Sequence, residues 1–496
     1  MTGLLTWRYL IDYARRPLNL VLLAVVPLVF VTLSAGALAD FAQILGGDAS
    51  AGRLEAATAG WAAAFLAGVA AFFHVNGSRA ADRRLAATSS PTPVVAARLI
   101  SALVLAAVAV GGALIALAMR TEVVDLGRAL AATAMFAAIY LGIGALLGAI
   151  MRSEVNGSLV LVFVWMFDVF LGPAMGRSDA LLTRIFPSHF PTLLILDATT
   201  SHGGPLGDLG MSLAWTIGGL AVAFIVLLTT TRVARAHRAH GRIRTSLDRL
   251  RVGFRYAWRE YRRNIALWVL LIVLPLFFIS LSIAVTPDDP APVELVDAGR
   301  RAVTVLSMVD VHGAIMVAIT VAFLAGLAGL FVVLGSSQAD RRLVLAGYRP
   351  GEVLTARLGV IVLAAALVSA VALAVTAASF QPEVWATFAV ATGVIAITYA
   401  MIGVLLGPLV GRLGGLYLMF LLPFLDVGLA QNVMFSAAPP TWAVWLPAHG
   451  AVRVLVDAAF TASFDDLTGL LLASTWLVGL TAAAAGVFHR LAASRI

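Results

Sequence analysis

The sequence contains no lysine and no cysteine, so all 34 of its basic residues are arginine. Each absence removes a class of chemistry. A phosphate-binding P-loop needs its lysine on the phosphates, a Schiff base needs a lysine amine, and thiolate metal or redox sites need cysteine. Charge of either sign is scarce as well: 12% of the 496 residues are charged, against about 25% in soluble proteins. Apolar residues fill the space, at 61% of the chain with a mean hydropathy of +0.97. Such a chain is an all-α polytopic membrane protein. No small-residue cleavage pattern interrupts the first apolar run from Leu18, so no cleavable signal peptide is expected.

A bilayer core takes about 20 apolar residues per helix. Runs of that kind lie near 18–38, 58–75, 94–118, 130–150, 158–174 and 211–230. After a basic stretch from Arg232 to Arg263, six more lie near 266–285, 311–334, 353–378, 385–410, 416–433 and 467–488. The reading is about twelve spans. If the N-terminal side is inside, the inner segments carry 26 of the 34 arginines, while the outer ones hold Asp288, Asp289, Glu294, Asp297, Asp465 and Asp466. This asymmetry puts both termini in the cytoplasm. It also accounts for the net charge of +8 without a nucleic-acid partner.

The chain is written twice. Ser78-Arg79-Ala80-Ala81-Asp82-Arg83-Arg84-Leu85 returns as Ser336-Ser337-Gln338-Ala339-Asp340-Arg341-Arg342-Leu343, each copy followed by a proline (Pro91, Pro350) and an Ala-Arg pair (Ala97-Arg98, Ala356-Arg357). Pro27 returns as Pro275, Tyr140 as Tyr399, Gly144 and Gly148 as Gly403 and Gly407, and Asp168 as Asp426. Pro187, His189 and Asp197 return as Pro447, His449 and Asp457. The expected division is a first six-helix repeat over 1–235, a basic amphipathic linker over 236–264 and a second six-helix repeat over 265–496. Six spans is an even number, so the repeats enter the membrane the same way and should be parallel, related about the membrane normal.

In this order and repetition the sequence resembles the membrane subunits of ABC exporters with the type-2 permease fold, and within them the fused two-repeat form found among polyketide-antibiotic exporters. The resemblance implies a transport subunit that is not itself an enzyme. It would work with two copies of a separate ABC ATPase carrying ATP and Mg, in the cell membrane, exporting a hydrophobic or amphiphilic compound such as an antibiotic, drug or lipid. It also implies roles for residues. Asp82, Arg83, Arg84, Asp340, Arg341 and Arg342, in the charged turn between the second and third spans of each repeat, would couple to the ATPase. Trp7, Arg8, Arg15 and Arg16, with Trp258, Arg259, Arg262 and Arg263, would belong to amphipathic connecting helices at the membrane surface. Phe72, Phe73, His74 and Phe331 stand at pathway positions.

Asp168 and Asp426 sit inside apolar runs, where a mid-membrane aspartate costs about 2.5–3.5 kcal/mol. Two readings stay open for them: pathway groups, or structural carboxylates satisfied by partners. Pro187, His189, Asp197, Pro447, His449 and Asp457 fall in short excursions between the fifth and sixth spans and read as packing and capping groups of an outer gate, with no metal, since two ligands do not make a site. The glycine pairs read as close helix packing. An ion-coupled secondary transporter using Asp168 and Asp426 is the alternative. An intramembrane metal-dependent transferase would need an acidic cluster that the inner loops lack.

Overall fold

Lipid offers a spanning backbone no hydrogen-bond partner but its own, so the apolar runs become helices. The computed structural model describes residues 1–44, 49–88, 90–121, 123, 125–175, 181–196, 206–231, 265–297, 300–345, 350–464 and 466–493. The linker 236–264, with Trp258, Arg259, Arg262 and Arg263, and also Asp197, lies outside the described residues. The chain divides into two units, Met1–Arg238 and Ala239–Ile496.

The first unit begins with α1 (Thr2–Ala14), then α2 (Pro17–Ile44), α3 (Ala51–Asn76), the short α4 (Arg79–Thr88), α5 (Pro91–Arg120), α6 (Leu126–Ile150) and α7 (Glu154–Phe170). A 3-10 turn, Leu181–Ile185, leads into α8 (His189–Leu196), and α9 (Gly207–Thr231) closes the unit. Pro17 and Pro91 each sit at the start of a helix, where the missing N–H is no loss. The centre is α3, which packs on α2, α5, α6 and α7. Its alanine- and glycine-rich sequence lets those neighbours come close. A side chain on Gly144 of α6 would overlap the Gly68 carbonyl of α3.

The second unit runs α10 (Ile265–Val285), α11 (Met308–Leu345), α12 (Pro350–Thr376), α13 (Trp385–Pro423), a π-helical turn (Phe424–Ala430), a 3-10 turn (Thr441–Trp445), α14 (His449–Phe460) and α15 (Leu467–Ala493). Here α11 and α13 make the close pair, and a side chain on Gly403 would overlap the Gly326 carbonyl. Among the described residues, nine helices are long and apolar enough to cross a membrane. The expected fifth span is the 17-residue α7, and the expected tenth and eleventh share α13, which breaks at Gly411 (φ 73°, ψ −167°). Only glycine adopts that backbone readily.

Two elements depart from the sequence expectation. Between α10 and α11 the loop forms an antiparallel hairpin, β1 (Pro290–Asp297) with β2 (Arg300–Ser307), in the register Pro290↔Ser307 to Asp297↔Arg300. Ala291, Val293 and Leu295 turn into the unit, and the Glu294 N–H donates to the Ala437 carbonyl at 2.7 Å. The repeated charged string, expected as a turn, is helical in both copies. In the first it is the separate helix α4 after a break at Gly77-Ser78; in the second it is the end of the continuous α11.

Candidate functional site

At the Arg-rich end of the first unit, α1, α3, α4 and α5 meet in a buried polar cluster. Arg98 lies about two turns into α5, and its guanidinium reaches back to Asp82 on α4: Nε donates to Oδ2 at 3.0 Å and Nη2 to Oδ1 at 2.5 Å. Both residues are buried. The face of the guanidinium lies 3.6 Å from the ring centre of Tyr9 on α1, a cation–π contact. The Tyr9 hydroxyl donates to Asp82 Oδ1 at 3.3 Å. Burial first, and then the Asp82 charge, push the Tyr9 phenol up to about 12, so it remains a donor.

His74, at the end of α3, completes the cluster. Its Nε2 is 3.3 Å from Arg98 Nη1 and 2.7 Å from Ser101 Oγ. An arginine nitrogen only donates, so Nε2 is the acceptor and the ring proton belongs on Nδ1. Tyr9 and Tyr13 set their rings edge-on to this imidazole, centroids 6.2 Å away. One arginine thus ties α1, α3 and α4 to α5.

The rest of α4 is arranged around that anchor. Arg83 donates from Nε to the Thr230 carbonyl at 3.2 Å, capping the open carbonyl end of α9. Ala80, Ala81, Arg84 and Ala87 are on the exposed side. Of the three charged residues expected to couple to an ATPase, Asp82 is bound twice by Arg98 and turned into the bundle, whereas Arg84 is on the exposed side. In the second unit Arg357, at the position of Arg98, is also buried, while the side chains of Asp340, Arg341 and Arg342 are outside the described residues.

Trp7 and Arg8 lie on the exposed face of α1 beside Leu4 and Ile11, opposite Tyr9; Arg15 and Arg16 follow the helix, also exposed, with Arg15 3.1 Å from Asp12. The expected amphipathic helix is present, but it packs on α5 through its tyrosine face and keeps its apolar face outward. The residues expected along the pathway are Phe72, Phe73, His74 and Phe331. His74 is part of the buried cluster, Phe72 is wholly buried against Gly157 of α7, and Phe331 is buried within α11. Phe73, half-buried, has its ring 5.0 Å from Phe72.

Toward the opposite end, each unit holds its mid-span aspartate in the same way. Asp168 is 1% exposed; Tyr140 Oη donates to its Oδ2 at 2.6 Å, and the Ser188 N–H lies 3.2 and 3.1 Å from its two oxygens. Asp426 is 3% exposed; it accepts from Tyr399 Oη at 2.6 Å and from the Ala448 N–H at 3.0 Å. Ser188 and Ala448 directly precede α8 and α14. The carboxylate therefore sits at the amino end of each excursion helix, where the helix dipole favours negative charge. The opposite end of α8 is met by Arg53, whose Nη1 donates to the Leu196 carbonyl at 2.6 Å.

The second clamp carries one more member. Gln431 closes the π-helical turn and lies 3.4 Å from Asp426, 3.1 Å from the Ala443 carbonyl and 2.9 Å from His449 Nδ1. In the first unit Pro173 stands five residues after the aspartate where Gln431 stands in the second, and His189 is wholly buried with its ring 5.0 Å from Phe190. Asp457 is buried and accepts from Thr461 Oγ1 at 3.0 Å. Pro187 and Pro447 each lie two residues before those helices, half-buried.

Residues 58–231, from the second turn of α3 to the last residue of α9, match the family model described as ABC-2 family transporter protein. No curated protein matches the chain. The match takes in the charged string at 78–85, the Asp168 clamp and the segment before α9. Over residues 58–231 the chain is thus similar to ABC-2 family transporters, and its helices of membrane-crossing length, nine among the described residues, make it a multi-pass membrane protein.

Proposed function

We propose that the chain is the transmembrane subunit of an ATP-driven exporter of a hydrophobic or amphiphilic compound, an antibiotic, drug or lipid. It would engage two copies of a separate ABC ATPase, which carry ATP and Mg, through α4 and the end of α11, with both termini cytoplasmic in the cell membrane. The observation that carries this reading is the Asp82–Arg98 pair. It fixes α4 rigidly to a span and to α1 while leaving Arg84 and the small residues Ala80, Ala81 and Ala87 outward. A helix so fastened passes a push from a docked partner directly into α5, because a bidentate buried pair has little freedom to yield.

The ion-coupled alternative depends on Asp168 and Asp426. Both are buried and engaged by a tyrosine and a helix-start N–H, which favours a holding role over a proton-carrying one. The test is co-expression with an ABC ATPase encoded beside the gene, followed by affinity purification and an ATPase assay in nanodiscs. Co-purification with drug- or lipid-stimulated hydrolysis is expected. Transport that runs without any ATPase and collapses with a protonophore would overturn the reading.

A further inference from the structure

Each excursion helix is preceded by a five-residue 3-10 turn, Leu181–Ile185 before α8 and Thr441–Trp445 before α14. Both turns end on a large apolar residue pointing outward: Ile185 is 64% exposed and Trp445 is 78% exposed. In a 3-10 helix residues three apart eclipse one another, which puts Trp442, 59% exposed, on the same side as Trp445. Ala443 between them is buried and its carbonyl is held by Gln431. The turn is thus anchored to the clamp on one side and presents two indoles on the other. Isolated exposed apolar residues are ordinary; the same position exposed in both units, and paired tryptophans in one, are not scatter.

The surface that these turns continue identifies what covers them. α8 packs on α9 and α14 packs on α15. α9 exposes Leu209 and Ile217, and α15 exposes Leu471 and Val478. On helices of membrane-crossing length such residues are covered by acyl chains. At the end of that surface an indole fits the headgroup level, its ring in the apolar layer and its N–H toward water.

We propose that the two 3-10 turns are interfacial anchors that seat the amino end of each excursion helix in lipid, and that Trp442 and Trp445 make the second anchor the stronger. Each excursion helix is then held from the bundle by its aspartate and from outside by the leaflet. The leaflet assignment rests on the exporter reading; the depth of the turns does not.

The absence of native cysteine makes the test direct. Spin labels on Trp445→Cys, Ile185→Cys and, as a water-exposed reference, Arg300→Cys at the hairpin end are placed in phosphatidylcholine/phosphatidylglycerol nanodiscs. Collision with oxygen is then compared with collision with a water-soluble nickel complex. Oxygen should dominate at 445 and 185, and nickel at 300. Nickel-dominated collision at 445 and 185 would overturn the proposal, as would low collision with both reagents, the mark of a protein-covered site. Quenching of the unlabelled protein by brominated lipid supplies a second readout. It should fall in Trp442→Phe/Trp445→Phe, and an unchanged quenched fraction overturns the tryptophan anchor. Neither measurement needs an ATPase, so a failure here is separable from a failure of the exporter reading.

Discussion

Arg98 and Asp82 are sixteen residues apart in sequence and joined by two parallel hydrogen bonds across the corner between α4 and α5. Removing one member of a buried pair strands the other, a loss of about 3–5 kcal/mol, whereas removing both is often tolerated. Arg98→Ala should therefore lower the thermal midpoint of the detergent-solubilised protein sharply. Asp82→Asn/Arg98→Met should recover much of that stability without recovering coupled ATPase activity. Full coupling in the stable double variant would show that the pair is a fold element alone.

Tyr9 gives this corner a pH dependence. Its phenol is raised from 10.0 to about 12, chiefly by burial. A raised folded value favours the protonated form, so this contribution to stability is complete below pH 10 and is lost as the pH rises through 12. Tyr13, raised by burial as well, adds to the same slope. The readout is thus the difference between the protein and Tyr9→Phe, whose thermal midpoints should run parallel up to about pH 9.5 and converge above it.

Arg83 and Arg84 should separate into two roles. Arg83 caps the Thr230 carbonyl, and Arg84 is on the exposed side of α4. Arg84→Glu should reduce ATPase co-purification several-fold with a smaller drop in thermal midpoint than Arg83→Glu, which should lower both. Because the second string continues α11 while the first is a separate helix, reversing Arg341/Arg342 should change coupling by a different amount from reversing Arg83/Arg84. Equal binding in all these variants would remove α4 from the docking surface.

The duplication made the spans, the two aspartates and the glycine pairs legible, because spacing and order survive in the sequence. Other features left weaker marks. The Arg98 partnership was visible only as an arginine just inside an apolar run, repeated at Arg357; nothing in the spacing says which acid it meets. Tyr9 left no mark of its own, since periodicity finds the apolar face and is silent about a tyrosine that buries its ring on the other. The hairpin did carry a signal, alternation over Val293, Leu295, Val303 and Val305 around Asp297-Ala298-Gly299. A search for membrane-length runs passes over eight-residue strands. Gln431 stands where the first repeat has Pro173, five residues after the aspartate, and nothing in the spacing marks it as a partner of Asp426.

Close helix approach gives a controlled comparison. Gly144→Ala and Gly403→Ala place a methyl group against the Gly68 and Gly326 carbonyls, backbone atoms that cannot move aside. Overpacking of this kind costs about 1–3 kcal/mol, and thermal midpoint and monodispersity should drop in each variant. Gly218→Ala and Gly479→Ala meet nothing within 4 Å and should match the unmodified protein. A uniform response across the four positions would remove packing as the reason for the repeated glycines.

The aspartates decide between the two transport mechanisms. In Asp168→Asn the amide oxygen still accepts from the Ser188 N–H, and the amide nitrogen can donate to the Tyr140 oxygen, so the clamp keeps its shape at a cost of about 1 kcal/mol. A proton carrier has no such tolerance, since asparagine cannot titrate. Asp168→Asn and Asp426→Asn should retain most of the ATP-dependent export measured in inside-out vesicles. Asp168→Leu, which strands both donors at about 1–3 kcal/mol each, should lose export together with folded yield. Tyr140→Phe and Tyr399→Phe should behave like the asparagine variants. Loss of export in the asparagine variants at normal yield and thermal midpoint would return Asp168 and Asp426 to the pathway, and the clamp would then be the resting position of a group that moves.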